Sequence, residues 1–298
     1  MLNTEALDSE LNLPSPLEKF APEWEGAERV TMYVKRDDAI HSIISGNKWR
    51  KLKYALQSLP KDISGVVSFG GGFSNHLHAL GFVCKQLNIP FHAIIRGDYS
   101  KNPTPMLNDL LQYGTHLHYV TKVIYKRRND SDYLRELQTQ FPNMAIIPEG
   151  GSQQAAIRGV QEMVQEITIP FDSIVAPVAS GATLAGIVSS LSSSQTAHGI
   201  GVLKGENYLE SLVNQFLPGE SRSYTIHHQF HCGGYAKIPP YLSEFCDHFN
   251  QTMPFKIEGV YSGKVFWALK HLLSTHTFAQ GHRIIIVHTG GLQGMRCT

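Results

Sequence analysis

Three apolar runs end in glycine-bearing turns, and this repeated transition most restricts what the chain can fold into. Val66-Val67-Ser68-Phe69 leads into Gly70-Gly71-Gly72, Ile174-Val175-Ala176-Pro177-Val178 into Ala179-Ser180-Gly181, and Ile284-Ile285-Ile286-Val287 into His288-Thr289-Gly290-Gly291. Short β-branched runs alternating with longer amphipathic stretches are the punctuation of an α/β protein. After the first run, Leu77, Leu80, Cys84 and Leu87 recur at helical spacing. His92 to Arg96 reads as the next strand; Thr104-Pro105-Met106 then opens a helix, with Thr as cap and Pro in the first turn, and Gly114 stops it. Residues 117–120 and 145–147 are two more strand candidates, separated by a helical pattern over 130–140. The segment from about 48 to 159 can thus form a small parallel sheet covered by helices. A second βαβ run takes strand 174–178, helix 184–191 and strand 199–203. The serines at 189, 190, 192, 193 and 194 read as a helix end and loop. No repeat period and no low-complexity boundary is visible.

With 298 residues there is room for two modest domains. Lys plus Arg number 26 against 25 Asp plus Glu, so no basic stripe marks a nucleic-acid surface. The first twenty residues interleave charges with apolar residues, unlike a signal peptide, and no stretch approaches the roughly 18 apolar residues of a membrane span. The expectation is a cytoplasmic protein without membrane or nucleic-acid partners. Cys84, Cys232, Cys246 and Cys297 show no CxxC spacing and read as free thiols. His76 and His78 point to different faces of a helix, and His227-His228-x-x-His231 lacks acidic or cysteine partners, so no metal is expected.

Chemistry concentrates in a few runs. In Ser45-Gly46-Asn47-Lys48-Trp49-Arg50-Lys51-Leu52, Lys48 follows a glycine turn at the start of a helix. It reads either as part of a solvated basic face or as an electrophile-trapping amine made neutral by desolvation and by the charges of Arg50, Lys51 and Lys53. Ala179-Ser180-Gly181-Ala182-Thr183 is either an ordinary strand-to-helix turn or an anion site built from backbone N–H groups and two hydroxyls. Neither it nor Gly70-Gly71-Gly72 supplies the GxGxxG and acidic residue of a dinucleotide fold, which makes a nucleotide-binding oxidoreductase the weaker reading. Ser74-Asn75-His76 starts a helix, where Ser or Asn is by default an N-cap. Tyr235 in Gly233-Gly234-Tyr235-Ala236 could equally be a packed core aromatic.

Together with Lys35-Arg36-Asp37-Asp38 and Glu258-Gly259-Val260-Tyr261-Ser262-Gly263-Lys264, these runs resemble pyridoxal-phosphate (PLP) enzymes of fold type II. The similarity is to the 1-aminocyclopropane-1-carboxylate (ACC) deaminase and D-cysteine desulfhydrase family, along nearly the whole chain. The resemblance implies two domains, each an open, twisted, mostly parallel sheet flanked by helices. Residues 1–45 and 160–298 would form a large PLP-binding domain and 46–159 a small inserted one. It implies that Lys48 holds the cofactor aldehyde and that Ser180, Gly181, Ala182 and Thr183 hold its phosphate. Ala179 and Ala182 depart from a glycine-richer family turn, and are tolerated if their φ is negative. Asn75 would donate to the ring oxygen, and Ser262 or Thr289 would meet the ring nitrogen. Ser74, Asn75, His76, Tyr235 and Tyr261 would face a small amino-acid substrate, with Lys48, Ser74 and Tyr261 as proton carriers. ACC deaminases usually carry Gln at the place of His76 and Glu at that of Ser262. A hydroxyl stabilises a ring-nitrogen charge less than a carboxylate does, so the expectation is β-elimination to a 2-oxo acid and ammonia, as in D-cysteine desulfhydrase. ACC deaminase is the alternative, and a non-catalytic PLP or amino-acid binding protein the alternative of another class. The family also implies a homodimer.

Overall fold

The computed structural model describes residues 4–205, 207–217 and 223–296. After α1 (Glu5–Asp8), β1 (Leu17–Phe20) and β2 (Thr31–Lys35), α2 (Asn47–Gln57) leads into β3 (Gly65–Gly71), α3 (Asn75–Gln86), β4 (Phe91–Arg96) and α4 (Pro105–Gln112). Then come β5 (His116–Val120), α5 (Lys122–Lys126), α6 (Ser131–Gln140), β6 (Met144–Ile147), α7 (Gln154–Gln165), β7 (Ser173–Val178) and α8 (Ala182–Ser190). β8 (Thr196–Gly201), α9 (Tyr208–Asn214), β9 (Tyr224–His227), α10 (Pro240–Thr252), α11 (Ser262–Ser274) and β10 (Arg283–Val287) complete the order.

Two sheets result. One runs β1-β2-β10-β7-β8-β9, with β1 antiparallel to β2 and every other pair parallel; the other, β5-β4-β3-β6, is wholly parallel. Successive strand side chains point to opposite faces, so the continuous apolar runs bury both. In β7 and β10, Val175, Ile284 and Ile286 pack with Phe245, Phe249, Phe266 and Leu269 of α10 and α11. Their neighbours Ile174, Ala176, Ile285 and Val287 pack instead with Val160, Ile187 and Val188 of α7 and α8. The smaller sheet does the same: Val66, Ala93 and Ile95 meet α2, α3 and α4, while Val67, Phe69 and Ile94 meet Tyr133 and Leu137 of α6.

Helix α2 packs closely against α7. A Cβ at Gly159 of α7 would stand 1.8 Å from Arg50 O of α2, so glycine is what lets the helices touch. Beside that contact lies a buried ion network. Arg50 pairs with Asp37 (3.1 Å) and with both oxygens of Glu166 (2.5 and 2.8 Å), and Lys35 pairs with Glu166 at 2.6 Å. Ser15 Oγ donates to Asp37 at 2.6 Å. Burial alone would push the Glu166 carboxyl up, but Arg50 and Lys35 outweigh it and hold it below the usual range.

Several sequence expectations sit where they were placed. Thr104 caps α4 by accepting from Leu107 N at 3.3 Å, with Pro105 in the first turn. β8 begins at Thr196 rather than Gly199, because pairing with Ser173 and Val175 of β7 recruits the polar Thr196 and His198. Among the described residues no helix is long and apolar enough to cross a membrane. Cys84, Cys232 and Cys246 are buried free thiols, and Cys297 lies outside the described residues.

Candidate active site

Lys48 enters the site on the first turn of α2, and the turn before it is set by an interlock of two loops. Gly46 has φ +68° and ψ −152°, a conformation reserved for glycine, and a Cβ there would fall 1.7 Å from Thr289 O. Asn47 N donates to that same oxygen at 3.3 Å. The Lys48 amine donates to Asn47 Oδ1 at 2.5 Å, and Asn47 Nδ2 donates to Thr183 Oγ1 at 2.9 Å. One asparagine therefore links the amine to the start of α8. Burial lowers the Lys48 pKa to about 8 against the opposing pull of Glu258. The charge expected from its neighbours is not the cause: Arg50 is neutralised by Asp37 and Glu166, and Lys53 pairs with Glu162 at 3.3 Å.

Lys51, one turn along α2, faces the strand-to-helix turn 179–183. Its Nζ donates to Ser152 Oγ at 2.8 Å and to Ser180 Oγ at 3.3 Å, and the two serine hydroxyls bond each other at 2.5 Å. Burial, helped by the charge of Lys48, lowers its pKa to about 7. Within 179–183 only Gly181 has a positive φ, +82°, and a Cβ there would lie 2.3 Å from Leu212 O; Ala179 and Ala182 accordingly fit. The first-turn N–H groups of α8 have no intrahelical acceptor and no side-chain cap.

Across the cleft, α3 begins at the expected Ser74, whose hydroxyl caps by accepting from Leu77 N at 3.2 Å and keeps its own proton to donate. Asn75 Oδ1 accepts from Gln293 Nε2 at 2.5 Å. His76 is buried on the inner face. Ser68 Oγ donates its one proton to Ile147 O and so must accept from His76 Nε2 at 2.7 Å, which leaves Nδ1 as an acceptor without a partner. That Nδ1 lies 3.6 Å from where a Cβ on Gly151 would stand, beside Lys51. Burial, and then Lys51 and Lys48, lower the His76 pKa to about 3, so its ring is neutral. His78 turns away to Asp109 at 2.8 Å.

The opposite wall comes from the loop before α11. The Glu258 carboxylate accepts from Val260 N (2.6 Å), Tyr261 N (2.8 Å) and Ser262 N (2.8 Å), while Ser262 Oγ accepts from Glu258 N at 2.9 Å. Ser262 is thus committed to this cap, its hydroxyl also lying 3.2 Å from Glu258 Oε1. The Thr289 hydroxyl has no partner among the described residues. Tyr261 OH donates to Tyr235 OH at 3.3 Å, with their rings edge to face at 6.1 Å. Tyr235 is 46 % exposed, which sets aside its reading as a core aromatic. Burial, then Tyr235, Glu258 and Glu149, push the Tyr261 phenol well above its ordinary pKa.

Sequence reading thus collected residues that the fold brings together, and it missed four that matter. Lys51 was read only as extra charge, while Ser152, Glu258 and Gln293 were not read as site residues. The run Glu149-Gly150-Gly151-Ser152 carried a glycine signal that marked Ser152. The donor set around Lys51 comprises one ammonium, the hydroxyls of Ser152, Ser180 and Thr183, and free helix N–H groups, with no carboxylate bonded to it. A buried ammonium whose partners are all hydroxyls needs an anion, and this arrangement fits a phosphate ester.

A family profile described as pyridoxal-phosphate dependent enzyme matches residues 9–290. A putative ACC deaminase of Pyrococcus horikoshii is 27% identical over 280 residues, covering 88% of this chain and 85% of that protein. A bifunctional D-cysteine desulfhydrase/ACC deaminase, mitochondrial, of Arabidopsis thaliana is 28% identical over 315 residues, covering 95% and 78%. Among solved structures, an ACC deaminase homologue superposes with a TM-score of 0.80 at 26% identity, over 96% of this chain and 91% of that one. The two mostly parallel, helix-flanked sheets are those of a fold type II PLP enzyme.

Proposed function

Because the chain belongs to the family of pyridoxal-phosphate dependent enzymes, we propose that it is a lyase of the D-cysteine desulfhydrase kind, releasing a 2-oxo acid and ammonia from a small amino acid by loss of its β-substituent. The observation that carries this reading is the pair of buried lysines on α2, Lys48 with a pKa near 8 and Lys51 near 7, the second facing hydroxyls and a helix N-terminus. Lys48 would hold the cofactor aldehyde. Its phosphate would lie on Ser180, Gly181, Ala182 and Thr183, with Lys51 and Ser152 as further donors. Asn75 would meet the ring oxygen and Thr289 the ring nitrogen, since Ser262 is engaged by Glu258.

Bound there, pyridoxal phosphate supplies an electron sink that acidifies the α-hydrogen of an attached amino acid. Ser74 Oγ and the free N–H groups of Asn75 and His76 bind the substrate carboxylate at the start of α3. Lys48, its pKa lowered by burial to about 8, is about half neutral at pH 8, and its free amine would take the α-proton at Nζ. Tyr261 keeps its phenolic proton, and with Tyr235 would steady the departing group by hydrogen bonding. A hydroxyl at the ring nitrogen suits loss of a thiolate better than opening of a cyclopropane. The relatives' catalytic names favour an enzyme over a non-catalytic binding protein.

Keto-acid release from D- and L-cysteine, β-chloro-D-alanine and ACC tests the proposal. D-Cysteine or β-chloro-D-alanine should yield pyruvate, and ACC little 2-oxobutanoate; a preference for ACC would replace this reading by ACC deaminase. Borohydride reduction should leave the pyridoxyl group on Lys48, and label on another lysine would overturn the site.

We further propose that residues 1–45 with 160–298 form the large domain and 46–159 the small one. The six-stranded sheet draws on residues 17–35 and 173–287, the four-stranded sheet on 65–147. A cytoplasmic homodimer is the assembly proposed, by family resemblance. The buried free thiols agree with a reducing compartment, and light scattering would test the dimer.

A further inference from the structure

The segment after β10 leaves the six-stranded sheet and crosses to the first turn of α3 on the other side of the cleft. Gln293, in a short turn of 3-10 helix (Leu292–Met295), donates from Nε2 to Phe73 O at 3.1 Å and to Asn75 Oδ1 at 2.5 Å. Its Oε1 accepts from the Arg296 guanidinium at 3.4 Å. A carbonyl can only accept and a guanidinium can only donate, so the partners at its two ends permit one orientation of the Gln293 amide. Asn75, facing that donor, must present Oδ1 to it. The two hydrogens of Asn75 Nδ2 are then directed elsewhere. Arg296 is itself anchored on the small-sheet side by Asp109 at 2.7 Å, and Asp109 also bonds His78 at 2.8 Å.

We propose that Gln293 is a positioning residue: by occupying Asn75 Oδ1 from the opposite half of the molecule, it holds the Asn75 amide with Nδ2 toward the ring oxygen of the cofactor. The inference rests on the reading of Asn75 given above. A flipped Asn75 would turn an acceptor toward an oxygen that carries negative charge. The seating of the segment after β10 on α3 and the hydrogen bond to the cofactor are thereby one event rather than two.

Removing a donor from an oxygen anion makes a proton shared with that oxygen harder to lose, so the pH midpoint of the bound cofactor's visible absorption change should rise. Gln293→Glu replaces the donor by an acceptor and should raise that midpoint by about one unit. It should also weaken the binding of PLP to apoprotein, measured by titration, about tenfold. Gln293→Lys, which keeps hydrogens for Asn75 Oδ1, should stay near the unmodified protein in both readouts. Gln293→Ala should shift both part way, and should add nothing in an Asn75→Ala background. If Asn75→Ala alone leaves the midpoint in place, the reading of Asn75 falls and this inference with it. If Asn75→Ala moves the midpoint while Gln293→Glu does not, or if Gln293→Lys moves it as far as Gln293→Glu, the role of Gln293 alone is overturned.

Discussion

Lys48 and Lys51 are two buried amines one helical turn apart, and what distinguishes them is what would relieve each. Lys48 bonds an amide oxygen and suits a reaction that needs a free amine; Lys51 bonds only hydroxyls and suits an anion. Both pKa values are lowered from 10.5, to about 8 and about 7. The unfolded chain therefore binds more protons than the folded apoprotein between pH 7 and 10.5. By linkage, the contribution of these groups to stability rises with pH across that window and is flat below it. A phosphate ion reverses the penalty by favouring charged Lys51. Inorganic phosphate should raise the apoprotein Tm at pH 6 to 7, and Lys51→Met should abolish the gain. A Tm indifferent to phosphate, or a gain retained in that variant, would count against the anion site. The sequence showed Lys51 but not its purpose, because its partners Ser152 and Ser180 lie 101 and 129 residues away. Glu258 is similar: it reads as one more charge, yet three backbone N–H groups make it the cap of α11, and Ser262 bonds it in turn.

At the scale of elements, the loop before α2 is held against the loop after β10. Gly46→Ala would meet Thr289 O as well as a backbone conformation closed to side chains. A loss of about 2–3 kcal/mol in urea denaturation is expected, together with loss of bound PLP. A variant of full stability that still retains cofactor would show that the interlock does not place Lys48. The motif Gly46-Asn47-Lys48 was legible, but its counterpart was not, since close approach of two backbones leaves no mark on spacing. The same divide runs through the elements. β3, β7 and β10 announced themselves because both faces are buried and their residues are correspondingly apolar or small. β1 and β2 did not, since Glu18, Lys19 and Lys35 interrupt them; Lys35 is buried there only because Glu166 and Ser15 O receive its ammonium. Helices α10 and α11 went unread although they carry the aromatic core of one sheet face.

For the whole molecule, α2 is tied to the six-stranded sheet by the charges beside it: Arg50 pairs with Asp37 and Glu166, and Lys35 of β2 with Glu166. Glu166→Gln would leave Lys35 and Arg50 buried beside an amide that cannot neutralise either. A fall of about 3–5 kcal/mol in unfolding free energy is expected. A change below about 1 kcal/mol would mean that the network is dispensable. Strand β10 has a further consequence. It lies between β2 and β7, and the residues just beyond it fix the glycine turn ahead of Lys48. On the ribosome, then, a growing chain carries Lys48 for more than two hundred residues of synthesis before the strand that completes the larger sheet is made. On the reading of Lys48 proposed above, a nascent chain would gain its means of holding the vitamin only once β10 is made.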